Sequence, residues 1–464
     1  MQAGILGYFG DKRRAAAGSR LVERVMETGS LVVRKFGKTR AGEMSFHRFL
    51  SAPSVATTEM VETLAARTTA ACQGRHIIAV QDTTEINFAG REERRRGLGP
   101  AGDGVSAGFF LHPVVAVDRE TGDVLGLLGA KLWTRSDEYV ETAGRARPLA
   151  DKESVRWLEG ADCAAACLAG AASVTVVADR EGDIYAAFAR RPPGVDLLVR
   201  AAQDRTLADG SRLFAAPASW PELRRITVQV PPSGSGKGAR LATVALRAGE
   251  VVIARPAQGS DPADPPQITL HMVEAREVSD SGDEPPLLWR LLSSRPVDTA
   301  AKAEETVQAY KLRWRIEEIF RALKKDGMRL EETQVEKAEA LFKLAMVGLA
   351  AATRTLPTGQ RPRRQHAARH RRHRCRSDAR GRSHRRNARR QDRASEEPAS
   401  PRFAGLAGLG DRLPRRLELL LQTAGTEDHA PGLGGIRRHG RRVPHRDLTV
   451  KSVNPSGLAH GPRR

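Results

Sequence analysis

The spacing of apolar positions along the chain changes rhythm more than once. It is helical at first. Leu21, Val22 and Val25 recur within 10–29, and Met44, Phe46, Phe49 and Leu50 within 43–50. Pro53 breaks that rhythm, and a further helix is expected over 56–71 with Thr57 or Thr58 as its N-cap. Short apolar runs at 76–80, 108–118, 124–133 and 174–178 then predict strands, the middle two joined as a hairpin by a turn at 118–122. A helix is expected over 153–171. Alternating runs at 195–200, 224–230, 240–247, 251–255 and 268–277, separated by proline- and glycine-rich turns, predict a largely β segment. The apolar stretch at 285–297 returns to a core strand, and helices follow over 301–324 and 341–356. The pattern is α/β with a helical beginning.

Two predicted strands end in carboxylates. Asp82 follows 76–80 in QDTTE, and Asp179 follows 174–178 in ADREGDIY. Strand ends are where α/β folds place ligands, although Asp82 is equally readable as an N-cap. Asp183 reads as a loop-ordering or capping residue. A third carboxylate lies on the stretch YKLRWRIEEIFRALK at 310–324. Wound as one helix at about 100° per residue, Tyr310, Arg313 and Lys324 lie about +20°, −40° and −20° from Glu317. One stripe then carries a phenol, a guanidinium, a carboxylate and an ammonium, with Leu312, Ile316, Ile319, Phe320 and Leu323 to one side. A solvated helix with weak i,i+4 ion pairs accounts for that stripe as well as a site does. SGSGKG at 233–238 lacks the spacing and context of a phosphate loop, because Lys237 is followed by Gly238, and reads as a basic hairpin tip.

Tyr310, Arg313, Glu317 and Lys324 fit Y-x2-R-x3-E-x6-K, and RWRIEE at 313–318 extends the fit. With DKESVRWL at 151–158 and ADREGDIY at 178–185 in the same order, the chain over roughly 6–356 resembles a large group of bacterial DDE insertion-sequence transposases of the cut-and-paste kind. The resemblance implies an RNase H-like catalytic core over 71–190 and 285–356. It also implies a mostly β insertion at 191–284 and an N-terminal helical domain at 1–70 that binds the transposon end. Asp82, Asp179 and Glu317 would be the catalytic and metal-holding triad, with two Mg²⁺ ions for which Mn²⁺ can substitute; oxygen ligands suit such ions. Tyr310, Arg313 and Lys324 would hold DNA phosphates beside Glu317. Trp289, twenty-one residues before Tyr310, would stack on a base flipped from the DNA end. Arg13, Arg14, Lys35, Lys38 and Arg48 are the candidates for end contact. In DKESVRWL the expected role is structural, with Trp157 and Leu158 buried. Double-stranded DNA, both transposon ends and target, is the implied partner, and a DNA hairpin the implied intermediate. A generic Mg²⁺-dependent nuclease and a non-catalytic remnant that inhibits an intact relative are the competing readings.

Composition alters this picture in one place. The formal charge is +21, but 27 Lys and Arg against 9 Asp and Glu fall within 357–464, leaving +3 for the rest. Residues 361–393 hold fifteen arginines, no lysine and no apolar period. Permitted codons for LELLLQTAGTEDHA at 417–430, read one nucleotide later, give WNCYYKPPGPKTM, which resembles the family's C-terminal, subunit-pairing region. A frameshifted, largely disordered tail is therefore expected, and with it a loss of the family's self-association. Four cysteines exclude a disulfide framework. There is no apolar run of 18 residues and no signal-peptide core, so no membrane partner is expected, and the implied location is cytoplasmic, at the bacterial nucleoid.

Overall fold

The computed structural model describes residues 4–88, 96–101, 106–135, 149, 152–230, 240–279, 286–324 and 327–356. The readings of the tail after Leu356 and of 233–238 lie outside them, as does most of the loop at 91–104.

Four helices come first: α1 (Lys12–Thr28), α2 (Val33–Phe36), α3 (Arg40–Ser51) and α4 (Thr57–Ala71). Local chemistry sets their ends. Asp11 accepts from the Arg13 amide at the start of α1, and Gly29, at φ 60°, closes it by donating to the Val25 carbonyl. The Thr39 side chain caps α3 by accepting from Gly42. The cap expected from Thr57 or Thr58 is not made, because α4 begins one residue after Ala56, which has no side chain to offer.

The strands form one sheet. They are β1 (His76–Gln81), β2 (Thr84–Asn87), β3 (Gly99–Pro100), β4 (Ala107–Asp118), β5 (Val124–Trp133), β6 (Ser173–Ala178), β7 (Val195–Arg200), β8 (Arg224–Val230), β9 (Arg240–Ala254), β10 (Gln267–Glu277) and β11 (Leu288–Ser293). Among the described residues the order is β2-β4-β1-β6-β7-β11-β10-β9-β8, with β3 and β5 also on β4. The strands β1, β6 and β7 at its centre are parallel, and the rest pair antiparallel. The β-rich stretch is thus no separate sheet: β11 pairs with β7 on one side and with β10 on the other.

The sequence pattern divided 240–254 at Gly249, yet β9 runs unbroken. Eleven consecutive pairings with β10 carry it through Gly249 and Glu250. A side chain at Gly249 would meet the Trp220 indole at 2.4 Å, so the glycine makes room for a ring.

Alternation along the central strands splits the core. Ile78, Val80, Val177, Leu198 and Val273 point into one layer, shared with α1, α3 and α4 and with three later helices: α7 (Ala300–Lys311), α8 (Trp314–Leu323) and α9 (Ala338–Thr355). Ile77, Ala79, Val176, Leu197 and Met272 point into the other, covered by α5 (Arg156–Cys167) and α6 (Tyr185–Ala189). Helix α9 is buried from Ala340 to Thr353 save Phe342, which is half-buried, and packs against α1, α3, α4, α8 and β5. Among the described residues no helix is long and apolar enough to cross a membrane.

Candidate active site

Register brings the two strand-end carboxylates together. The parallel pairing sets Val80 against Val177; carried on by two residues, that register puts Asp82 level with Asp179, and the charge of Asp179 acts on the Asp82 carboxyl. On the far side of β6, the pairing of Ala178 with Val199 places Asp179 beside Arg200. Adjacent strands lie about 4.8 Å apart, so Asp82, Asp179 and Arg200 emerge side by side from three neighbouring strands. Asp82 and Arg200 are buried. Each aspartate is oriented by the turn it starts: Asp82 Oδ1 accepts from the Thr83 amide at 2.7 Å, and Asp179 Oδ1 from the Glu181 amide at 2.8 Å.

The third carboxylate arrives on α8, which packs against β1 and buries Ile316, Ile319, Phe320 and Leu323. The single helix expected over 310–324 is instead two. Helix α7 ends at Lys311, Leu312 and Arg313 make a tight turn of i,i+3 bonds, and α8 begins at Trp314. No proline or glycine causes the break. At the turn Arg313 is 4 % exposed, and its Nη1 donates to Asp82 Oδ2 at 2.7 Å and to Glu317 Oε1 at 3.2 Å. One guanidinium nitrogen thus stands between two of the three carboxylates.

The electrostatics follow from that crowding. Burial, then the charge of Asp179 and to a smaller extent that of Glu317, pushes the Asp82 carboxyl well above its ordinary value, against the pull of Arg313 and the Thr83 amide. For Arg313, burial acts to lower the pKa, but Asp82, Tyr310 and Glu317 outweigh it and hold the guanidinium charged. Arg200 is pulled down to about 10, chiefly by burial.

Tyr310, on α7, is buried, its hydroxyl has no hydrogen-bond partner among the described residues, and burial raises its pKa. Trp289 lies 6.3 Å from Tyr310 between ring centroids, on β11, and is 3 % exposed. Its ring faces the core, so stacking on a base requires it to leave that position. Lys324 closes α8 in an extended conformation, half-buried. Asp183 does order a loop: it accepts from the amides of Ala202 and Gln203 and makes a buried ion pair with Arg205 at 2.7 Å.

Arg13, Lys35, Lys38 and Arg48 are exposed, whereas Arg14 donates to the Phe9 carbonyl at 2.9 Å. Lys38 borders a cleft of about 470 Å³ whose lining includes Arg34, Arg40 and His47, none of which the sequence singled out.

Sequence reasoning also missed Arg200, although its position at the end of a strand was readable, and Arg156. In DKESVRWL it is Arg156 that reaches the site, while Trp157 is buried and Leu158 half-buried. Arg156 donates from Nε to Thr83 Oγ1 and from Nη2 to Glu181, each at 2.7 Å.

Three carboxylates and no nitrogen or sulfur form a donor set suited to a hard divalent cation. Among the described residues no group of three or more His, Cys, Asp or Glu stands ready to hold a metal ion as it is, with the Arg313 nitrogen between Asp82 and Glu317. The crowding that raises the Asp82 pKa is what a bound cation would relieve. Chemically the residues fit.

Residues 172–354 match the family model described as Transposase DDE domain. The match takes in Asp179, Arg200, Trp289, Arg313 and Glu317 and begins after Asp82; it supports a DDE transposase.

Proposed function

We propose that the chain is a DNA transposase that cuts and joins transposon ends with Asp82, Asp179 and Glu317, on a core of RNase H-like type. The observation that carries the reading is the register that sets Asp82 against Asp179 at the ends of two parallel strands, with Arg313 tying Glu317 to the same point. Mg²⁺, or Mn²⁺ in its place, would be held by these three carboxylates. When bound it supplies activation of the attacking oxygen and charge neutralisation at the leaving one. The chain's own contribution is position and charge. Asp82 and Asp179 are aimed by backbone amides of the turns they begin. Arg313 and Arg200 bring cationic groups beside the carboxylates, where a DNA phosphate would otherwise be repelled.

In the same proposal the helices of 1–70 recognise the end through exposed residues such as Arg13, Lys35, Lys38 and Arg48. Tyr310 and Lys324 support the cleaved strand, and a DNA hairpin is the intermediate between cleavage and joining. Residues 71–190 and 285–356 form the catalytic part, 191–284 the β-rich part, and 357–464 the arginine-rich tail.

The test uses duplex DNA carrying the sequences that flank the gene. Wild-type protein with Mg²⁺ nicks this DNA at one position, and D82N, D179N and E317Q each bind it without nicking. Cleavage retained by any of the three in Mg²⁺ overturns the assignment. Cleavage without preference for the flanking sequence would favour a generic nuclease.

A further inference from the structure

Resting on that reading of the site, we infer that Arg156 is a positioning residue that fixes the separation of the two aspartate-bearing turns. Thr83 follows Asp82, and Glu181 lies in the 3-10 turn that Asp179 caps. Arg156 bonds both, so a single guanidinium spans the pair of turns.

The guanidinium is itself held. Its carbon lies 5.8 Å from the Trp133 ring centroid and 5.3 Å from that of Trp157. Trp133 and Arg135 both donate to Glu153, in the turn just before α5, which steadies the start of the helix that carries Arg156.

A second, buried path closes on the same helix. Gln81 Nε2 donates to the Trp157 carbonyl at 3.1 Å, which leaves Gln81 Oε1 to accept from His112 Nε2–H at 3.2 Å. The other nitrogen of the neutral ring, Nδ1, then accepts from the Thr83 hydroxyl at 2.9 Å, and Thr83 Oγ1 in turn accepts from Arg156. Trp157 is the residue after Arg156, so the hydrogen bonds run in a closed ring through β1, β4 and α5. Gly160 makes room for it: a side chain there would meet Gln81 Oε1 at 2.0 Å. A glycine inside a helix is disfavoured relative to alanine, and here it admits the amide of the residue just before Asp82.

A DNA-contacting role for Arg156 competes with this one. Its 9 % exposure and its two bonds leave little of the fork to offer a phosphate. Partners of this kind, behind metal-holding carboxylates, typically change metal affinity by 10–100-fold when removed.

The experiment measures Mn²⁺ affinity by electron paramagnetic resonance on the full chain bound to its flanking DNA. Alongside are the Mg²⁺ concentration for half-maximal nicking, metal-free DNA affinity and the melting temperature. Arg156→Gln and Arg156→Lys are each expected to weaken Mn²⁺ binding by roughly 10–100-fold and to raise the Mg²⁺ requirement in step, with metal-free DNA affinity unchanged. Lysine should not rescue, because one ammonium cannot reproduce the fork. Should the Arg156 variants fail to fold, Thr83→Val against Thr83→Ser gives the same answer: valine breaks the bond and serine restores Mn²⁺ affinity. Unchanged Mn²⁺ affinity with weaker DNA binding would make Arg156 a DNA contact. Unchanged Mn²⁺ affinity with only a lower melting temperature would make it structural. Either outcome overturns the inference. D82N is the control: if it still binds Mn²⁺ and nicks, the site itself is wrong, whereas loss of both in D82N together with indifferent Arg156 variants removes only the role given to Arg156.

Discussion

Arg313 Nη1 lies 2.7 Å from Asp82 Oδ2 across 231 positions of sequence, and the same nitrogen reaches Glu317 one helical turn away. This nitrogen brings a positive charge between two carboxylates. Under the proposed function, a cation held by the same carboxylates would require Arg313 to give up at least one of its two bonds and would free the guanidinium for a phosphate.

Replacing Arg313 should expose that dependence. In Arg313→Gln, Asp82 and Glu317 lose their shared cation, and breaking a buried pair in this way costs about 3–5 kcal/mol. Thermal melts with and without Mg²⁺ should show the variant recovering more stability from the ion than wild type does. Equal Mg²⁺ gains in both proteins would mean that Arg313 does not stand in for the ion.

For Tyr310, the buried hydroxyl without a partner gives a sharp test. An unsatisfied buried hydroxyl carries a penalty of about 1–3 kcal/mol, so Tyr310→Phe should leave stability unchanged or slightly raised. Nicking or hairpin formation that falls in this stable variant would assign the hydroxyl a contact made only with DNA present. A destabilised variant would contradict the burial described above.

His112 predicts an acid-sensitive fold. Burial first, then the charges of Arg156 and Lys131, depress its pKa well below 6.5. Below about pH 6.5 the unfolded chain takes up a proton that the fold refuses, so the neutral ring's contribution is present above 6.5 and lost as pH falls. His112→Gln keeps a donor and an acceptor but cannot titrate. Its melting temperature should therefore gain on wild type between pH 7.5 and pH 5. The raised Asp82 carboxyl is common to both proteins and cancels in that comparison. A constant difference across the range would show that His112 titrates freely.

Trp289 separates packing from catalysis. Truncation to alanine removes a core ring at a cost of about 3–5 kcal/mol, whereas Trp289→Phe keeps most of the volume. If the ring leaves the core to stack on a flipped base, both variants retain the first nick and slow hairpin formation. Loss of both steps in proportion to stability would mean that Trp289 only fills space.

Much of this was legible in the linear pattern, for identifiable reasons. The strands that carry Asp82 and Asp179 are short, apolar and buried on both faces, so their runs read directly. Their side-by-side placement did not, because register between strands almost a hundred residues apart leaves no trace in either run. The two-helix break at Leu312 and Arg313 was hidden for a different reason. Its residues are ordinary helix formers, and the contact that accompanies the break, Arg313 on Asp82, joins residues far apart in sequence. Arg156 was invisible because its partners lie just beyond β1 and β6, and its neighbours Trp157 and Leu158 suggested a core helix. Likewise β9 outran its predicted end at 247, since pairing with β10 continues through Gly249, where the Trp220 ring fills the space of a side chain.

The burial of α9 has a consequence for how the protein is made. The helix that α1, α3 and α4 pack against is the last described element in the chain, ending at Thr355. During synthesis the first helices emerge roughly three hundred residues before the partner that covers their apolar faces. Until then Leu21, Val25, Phe49 and Leu50 have no completed core to enter. A fragment that ends with α4 would leave uncovered the part of their apolar surface that α9 buries, and in a ribosome-bound chain that surface waits for residues 338–355.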